Sequence, residues 1–256
     1  MKINLKIGET AMKVIILVAG YATRLYPLTL NTPKALLKIG GDTMLDFVIK
    51  KLTKIPEING VYLISNDKFY QNFVDWKENS NYPFDIQVLN DGTNTNETRL
   101  GAIGDIQFVL DNADIDEDLM VLVSDNYFTF ELSSFYDYYK SIDKDVVLGT
   151  KFEDLEYLSK HFGVAILAED GQVLDMFEKP GKIISDTGLY ASYIFKKETL
   201  PMFKEYLNEG NSPDAPGNFI AWLHKKKPVY CYRFEGECYD IGTHEMYNKL
   251  NEKFGK

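Results

Sequence analysis

Cysteine and histidine are scarce. The chain of 256 residues holds two cysteines, Cys231 and Cys238, and three histidines, His161, His224 and His244. Neither type recurs at a spacing that could close around zinc. Two cysteines without a recognisable secretory leader predict reduced thiols in a cytoplasmic protein. No apolar run is long enough to span a bilayer, so no membrane association is expected. The pattern G-x-x-x-x-G-K-[ST] is missing, which excludes a P-loop NTPase, and no G-x-G-x-x-G follows the first strand, which argues against a dinucleotide dehydrogenase. Basic residues are outnumbered. Lys and Arg total 28 against 38 Asp and Glu, for a net charge of -10 and a pI near 4.9. That balance disfavours nucleic acid as a partner. It leaves open a small anionic substrate, which a local cationic pocket can hold.

What is present reads as α/β. Hydrophobic residues make up 45% of the chain, enough for a sizeable core. No Pro/Gly/Ser-rich linker interrupts the pattern, so residues 12–256 are expected to form a single domain. Residues 1–11 fit that pattern poorly and read as an extension or an expression remnant. Apolar runs at 14–18, 60–64, 86–89 and 119–123 read as strands. Met44 to Leu52 reads as a helix with Thr43 as N-cap and Asp46 in its first turn. Helical spacing recurs at 69–77 and 101–110. The alternation predicts a Rossmann-like, mostly parallel central sheet flanked by helices. The second half differs. Short strands at 146–149, 164–167, 173–177, 190–195 and 229–234 are interspersed with helices at 200–207, 218–225 and 243–254. This mixed-strand portion is expected to cover the substrate.

In open α/β sheets ligands bind beyond the carboxyl ends of strands, and the informative residues lie just after apolar runs. The first strand opens into a loop of small residues, Ala19 and Gly20 among them, followed by Thr23, Arg24 and, after Pro33, Lys34. Backbone N–H groups of such a loop suit an anion, and the two cations can neutralise phosphate charge. Asp125 follows the fourth strand and Asp240 a late one. Two converging carboxylates suit a hard, octahedral Mg²⁺, although an Asp after a strand also serves as a turn or cap residue. Glu178 and Lys179 are adjacent in a strand and are expected to point to opposite faces.

Together these segments resemble the sugar-1-phosphate nucleotidyltransferases, also called NDP-sugar pyrophosphorylases. Their signature G-x-G-T-R-L-x-P-x-T…P-K-x-L stands here as Gly20-Tyr21-Ala22-Thr23-Arg24-Leu25-Tyr26-Pro27-Leu28-Thr29 and Pro33-Lys34-Ala35-Leu36. Ser124-Asp125-Asn126, Phe162-Gly163-Val164, Phe177-Glu178-Lys179-Pro180, Thr187-Gly188-Leu189-Tyr190 and Tyr239-Asp240-Ile241-Gly242-Thr243 follow in the family's order. The resemblance implies a GT-A-like nucleotidyltransferase fold, a nucleoside triphosphate and a sugar 1-phosphate as substrates, and Mg²⁺ as cofactor. It implies that Ala19, Gly20, Thr23, Gly101 and Asp125 bind the nucleotide, and that Arg24, Lys34 and Lys179 act on phosphates. Gly163, Glu178 and Tyr190 would bind the sugar, and Asp125 and Asp240 the metal. Members are often homo-oligomers.

Two departures stand out. Ala22 replaces the signature's second glycine. A left-handed backbone there would cost alanine about 1 kcal/mol, so the loop is expected to run a little differently. The base-binding segment, Asn90 to Gly101, lacks the Gln and Pro of thymidylyl and uridylyl members, and its Thr-rich run ending in Arg99-Leu100 is similar to the cytidylyl branch. Nothing after the closing helix resembles a β-helix acyltransferase domain. Three other readings compete: the same transfer to a non-sugar phosphate such as phosphocholine, a non-catalytic NDP-sugar sensor, and a glycosyltransferase. Retention of Arg24, Lys34 and both aspartates weighs against the sensor. Asp125-Asn126-Tyr127 is not the D-x-D of the glycosyltransferases.

Overall fold

The computed structural model describes residues 11–254. The expected extension over residues 1–11 therefore lies, but for Ala11, outside the described residues. In chain order the elements are β1 (Met12–Leu17), β2 (Lys38–Ile39), β3 (Asp42–Thr43), α1 (Met44–Leu52), β4 (Ile58–Ser65), α2 (Tyr70–Glu78), β5 (Asp85–Asn90), α3 (Ala102–Asn112) and β6 (Asp118–Val123). Then come β7 (Asn126–Phe128), α4 (Leu132–Ile142), β8 (Asp145–Lys151), α5 (Leu155–His161), β9 (Gly163–Leu167), β10 (Val173–Glu178) and β11 (Thr187–Phe195). The last are α6 (Pro201–Asn208), α7 (Pro216–Leu223), β12 (Val229–Arg233), β13 (Cys238–Asp240) and α8 (His244–Phe254). The described chain divides into two compact units. One runs to Leu100 and takes in Leu122–Ser133 and the chain from Gly236; the other holds Gly101–Val121 and Ser134–Glu235.

In the first unit β1 pairs in parallel with β4, and β4 with β5. Val14, Ile15 and Ile16 are fully buried. An unbroken apolar run, rather than an alternating one, is what a parallel strand covered on both faces requires. Helix α1 starts where the sequence predicts. Thr43 Oγ1 accepts from Asp46 N (3.0 Å) and Asp46 Oδ2 accepts from Thr43 N (3.1 Å), a reciprocal capping box. A second apolar cluster joins Leu25, Leu37, Ile39 and Met44 to Ile241 and Leu250. It anchors the loop after β1 and, through Ile241 with the partly buried Tyr239 packed against the cluster, the residues on either side of Asp240.

The second unit is mixed, as expected. Strand β11 lies antiparallel to β6, β8 and β9, with β10 antiparallel to β9 and β12 parallel to β8. In its core Phe203 and Phe219 stack at 3.9 Å between ring centroids, and Phe195 meets both edge-on. Helices α4 and α5 and the short ladders β2–β3 and β7–β13 are additions to the predicted elements.

Candidate active site

The first unit's site grows from the carboxyl end of β1. Ala19 is buried, and its carbonyl accepts from Asn66 Nδ2 at 2.7 Å. Gly20 is exposed, and a Cβ there would meet nothing within 4 Å, so its backbone faces open space. Ala22 is left-handed, with φ 47° and ψ 42°, which corrects the expectation of a different loop: alanine takes the backbone conformation that favours glycine. Its carbonyl receives Leu25 N at 3.0 Å and Thr29 Oγ1 at 2.8 Å, which pin the turn carrying Thr23 and Arg24. Pro33 then leads into a 3-10 turn at Lys34–Leu36 that carries Lys34 inward.

Three side chains meet here. Lys34 Nζ donates to Asp125 Oδ2 at 3.2 Å and lies 3.5 Å from Asp240 Oδ1. The two aspartates converge because β7 and β13 form an antiparallel ladder that pairs Asn126 with Asp240, while Ile241 N donates to Asp125 O at 3.0 Å. Burial and the Asp125 carboxylate push Asp240 above the usual carboxylate range, against the pull of Lys34 and Arg24. Arg24 crosses Gly242, where a Cβ would lie 3.3 Å from Nη2. The glycine of the Asp240-Ile241-Gly242 motif thus makes room for the arginine. Among the described residues no group of three or more His, Cys, Asp and Glu gathers around one point. Two carboxylates sharing a lysine suit a hard divalent ion that takes its remaining ligands from phosphate and water.

The second unit carries the other expected residues. Gly101 sits just before α3 rather than in it, with φ 82°, and a Cβ there would lie 2.6 Å from Pro213 O. Strand pairing sets Glu178 opposite Gly163, and a Cβ on Gly163 would come within 3.2 Å of Glu178 Oε2. Burial pushes the Glu178 carboxyl up, and Lys179 opposes this. The expectation for Lys179 needs correction. Strand β10 ends at Glu178, Lys179 adopts φ 45°, and its Nζ folds back to 3.9 Å from Glu178 Oε1. Strand alternation therefore does not carry the pair to opposite faces. Tyr190 is not gathered with Glu178. Leu189 faces Gly163 in the ladder, so its neighbour Tyr190 turns to the other side of the sheet, into a ring cluster with Phe152, Phe162 and Phe234. Gly217 is a residue to which sequence patterning assigns no role. A Cβ there would lie 2.2 Å from Glu178 Oε2. The signal was a glycine in the first turn of a helix, where it costs stability unless space demands it.

The first unit thus joins a glycine-bearing loop after β1, a lysine between two aspartates and a parallel sheet in one α/β arrangement. The chain belongs to the nucleotidyl transferase family, whose model matches residues 13–256. It is 28% identical over 233 residues to the mannose-1-phosphate guanylyltransferase catalytic subunit beta of Dictyostelium discoideum, covering 90% of this chain and 61% of that protein. It is 24% identical over 256 residues to a glucose-1-phosphate adenylyltransferase of Thermotoga maritima, covering 93% and 59%. The chain thus spans about three fifths of the length of these relatives. Its fold matches that of a crystal structure of UDP-glucose pyrophosphorylase complexed with UDP-glucose, with a TM-score of 0.79 at 18% identity, over 95% of this chain and 98% of that one.

Proposed function

We propose that the chain transfers a nucleoside monophosphate from a nucleoside triphosphate to a sugar 1-phosphate and releases pyrophosphate. The observation that carries this reading is the convergence of Lys34, Asp125 and Asp240 beside the loop after β1. An oxygen of the sugar phosphate attacks the α-phosphorus in line, and the bond from that phosphorus to the bridging oxygen of the β-phosphate breaks. The nucleophile is already an anion and needs no general base. The protein's task is to hold two mutually repelling anions together and to meet the charge that develops in the transition state. Lys34 and Arg24 supply that charge on the triphosphate side. Ala19, Gly20 and Thr23 shape the loop around it, and Gly101 lines the base. Glu178 and Gly163 hold the sugar, with Tyr190 behind them, and Lys179 its phosphate. Asp125 and Asp240 would hold Mg²⁺, which supplies positive charge to the triphosphate oxygens.

The relatives' names share a hexose 1-phosphate and differ in the base, guanylyl in one and adenylyl in the other. That pattern supports the hexose and leaves the base to be measured. The net charge of -10 supports small anions over nucleic acid. Both cysteines are thiols, which supports a reducing, cytoplasmic setting. The test is pyrophosphate release with Mg²⁺, each nucleoside triphosphate and a panel of sugar 1-phosphates with phosphocholine as a further acceptor. Release that requires both a triphosphate and a sugar 1-phosphate is expected. No release from any pair would overturn the reading in favour of a sensor, and preference for phosphocholine would overturn the sugar.

A further inference from the structure

The Glu178 carboxylate lies in a slot whose two walls are bare backbone. A Cβ at Gly217 would lie 2.2 Å from Glu178 Oε2 and 2.9 Å from Met176 Cε. A Cβ at Gly163 would lie 3.2 Å from the same oxygen and 2.6 Å from the same methyl group. Gly163 belongs to strand β9, and Gly217 to the first turn of α7, so the slot closes only because both elements approach without side chains.

The Gly217 wall cannot retreat. Pro213 O accepts from Ile103 N at 2.8 Å, and Asp214 O accepts from Ala102 N at 3.1 Å, so the segment before α7 satisfies the first donors of α3. Ser212 O accepts from Tyr206 Oη at 2.8 Å. Phe219 and Ile220, two and three residues on, are buried in the core. Three hydrogen bonds and two buried side chains hold the backbone on one side, while the end of a flexible side chain stands on the other. A methyl group added at 217 therefore moves Glu178, not α7.

We propose that Gly217 is a positioning residue of the acceptor site: its missing side chain fixes the rotamer of Glu178 and through it the grip on sugar hydroxyl groups. The proposal rests on the assignment of Glu178 to the sugar 1-phosphate. A carboxylate hydrogen-bonds a hydroxyl only over a narrow range of distance and angle, so a displaced Glu178 loses acceptor binding while the triphosphate side is untouched.

Gly217→Ala tests this. With the acceptor varied at saturating triphosphate, and the reverse, KM for the sugar 1-phosphate should rise about tenfold or more, as loss of one charge-assisted hydrogen bond implies. KM for the triphosphate should stay within about twofold. In a Glu178→Ala background, where no carboxylate is left to displace, Gly217→Ala should change neither value. An unchanged acceptor KM, an equal rise in both KM values, or the same effect in the Glu178→Ala background would overturn the proposal. A second measurement stands apart from turnover: the carboxyl ¹³C titration of Glu178 in the two proteins. Burial in the slot holds this group above the usual range, and Gly217→Ala should lower its midpoint towards the ordinary value. An unshifted midpoint would overturn the positioning role even if no acceptor were found. Absence of turnover by the unaltered chain, with the midpoint lowered, would overturn the nucleotidyl-transfer reading and leave the positioning of Glu178 standing.

Discussion

Ala22 occupies a backbone region that L-residues with a Cβ avoid, at φ 47° and ψ 42°. The cost to alanine is about 1 kcal/mol, offset in part by the extra freedom, about 0.5 kcal/mol, that glycine would bring to the unfolded chain. Ala22→Gly should therefore raise stability by roughly 0.5 kcal/mol, read from the midpoint of urea unfolding. A loss of stability would mean that the Ala22 methyl, packed against the Leu25 and Met44 cluster, contributes more than the strain costs. At this scale much of the site is legible in the sequence, because phosphate chemistry demands residue types that stand out after apolar runs. Arg24, Lys34, Asp125 and Asp240 are all of that kind. Gly217 is not, because its role lies in an absent side chain whose neighbour, Glu178, is set by packing between strand and helix.

Helix α1 shows how one carboxylate fixes an element. Asp46 closes the capping box, and its Oδ1 accepts from Trp76 Nε1 at 3.0 Å and Tyr82 Oη at 2.8 Å. It thereby ties α1 to α2 and to the turn before β5. Burial alone would raise this carboxyl, but the hydrogen bonds from Thr43, Tyr82 and Trp76 outweigh it and hold Asp46 below the usual carboxylate range. A depressed folded-state pKa stabilises the protein above the unfolded value, near 3.9, and that contribution is lost as pH falls through the folded value. Asp46→Asn should cost about 1–3 kcal/mol at pH 7. The gap between the two proteins should narrow below about pH 4. Urea unfolding followed by tryptophan fluorescence at several pH values checks both, and a gap independent of pH would rule out the charge as its source. Sequence pattern places α1 to the residue because its cap and its apolar face are local. It does not extend to α4, although Leu132, Phe135, Tyr136 and Tyr139, all buried, keep helical spacing. Helix α5 offered less. It has seven residues with only Leu158 and Ser159 buried, and it starts on an Asp154 cap that bonds Tyr157 N. The ladder β7–β13 was beyond reach for a different reason. Each strand has three residues and the partner lies far along the chain, so nothing local records the register that brings Asp125 beside Asp240.

Across the whole molecule, the first unit holds the loop after β1 with Lys34, Asp125 and Asp240, and the second holds Gly101, Gly163, Glu178 and Lys179. The residues that the sequence reading assigns to the triphosphate fall in the first unit, except Gly101, and those it assigns to the sugar fall in the second. The change from parallel to mixed pairing was legible where strand candidates stop alternating one for one with helices. The course of the chain back into the first unit at Gly236, which carries Asp240 with it, was not. The central claim is that Asp125 and Asp240 act together on the triphosphate through a divalent cation. Its most direct test is pyrophosphate release across a Mg²⁺ titration by the unaltered chain, Asp125→Ala and Asp240→Ala, with melting temperatures recorded alongside. The account predicts release that chelation abolishes in the unaltered chain and that falls at least about 100-fold in each variant at saturating Mg²⁺, the scale of losing preorganised charge at a reacting centre, with the fold intact. A near-normal rate in either variant at saturating Mg²⁺ would contradict it.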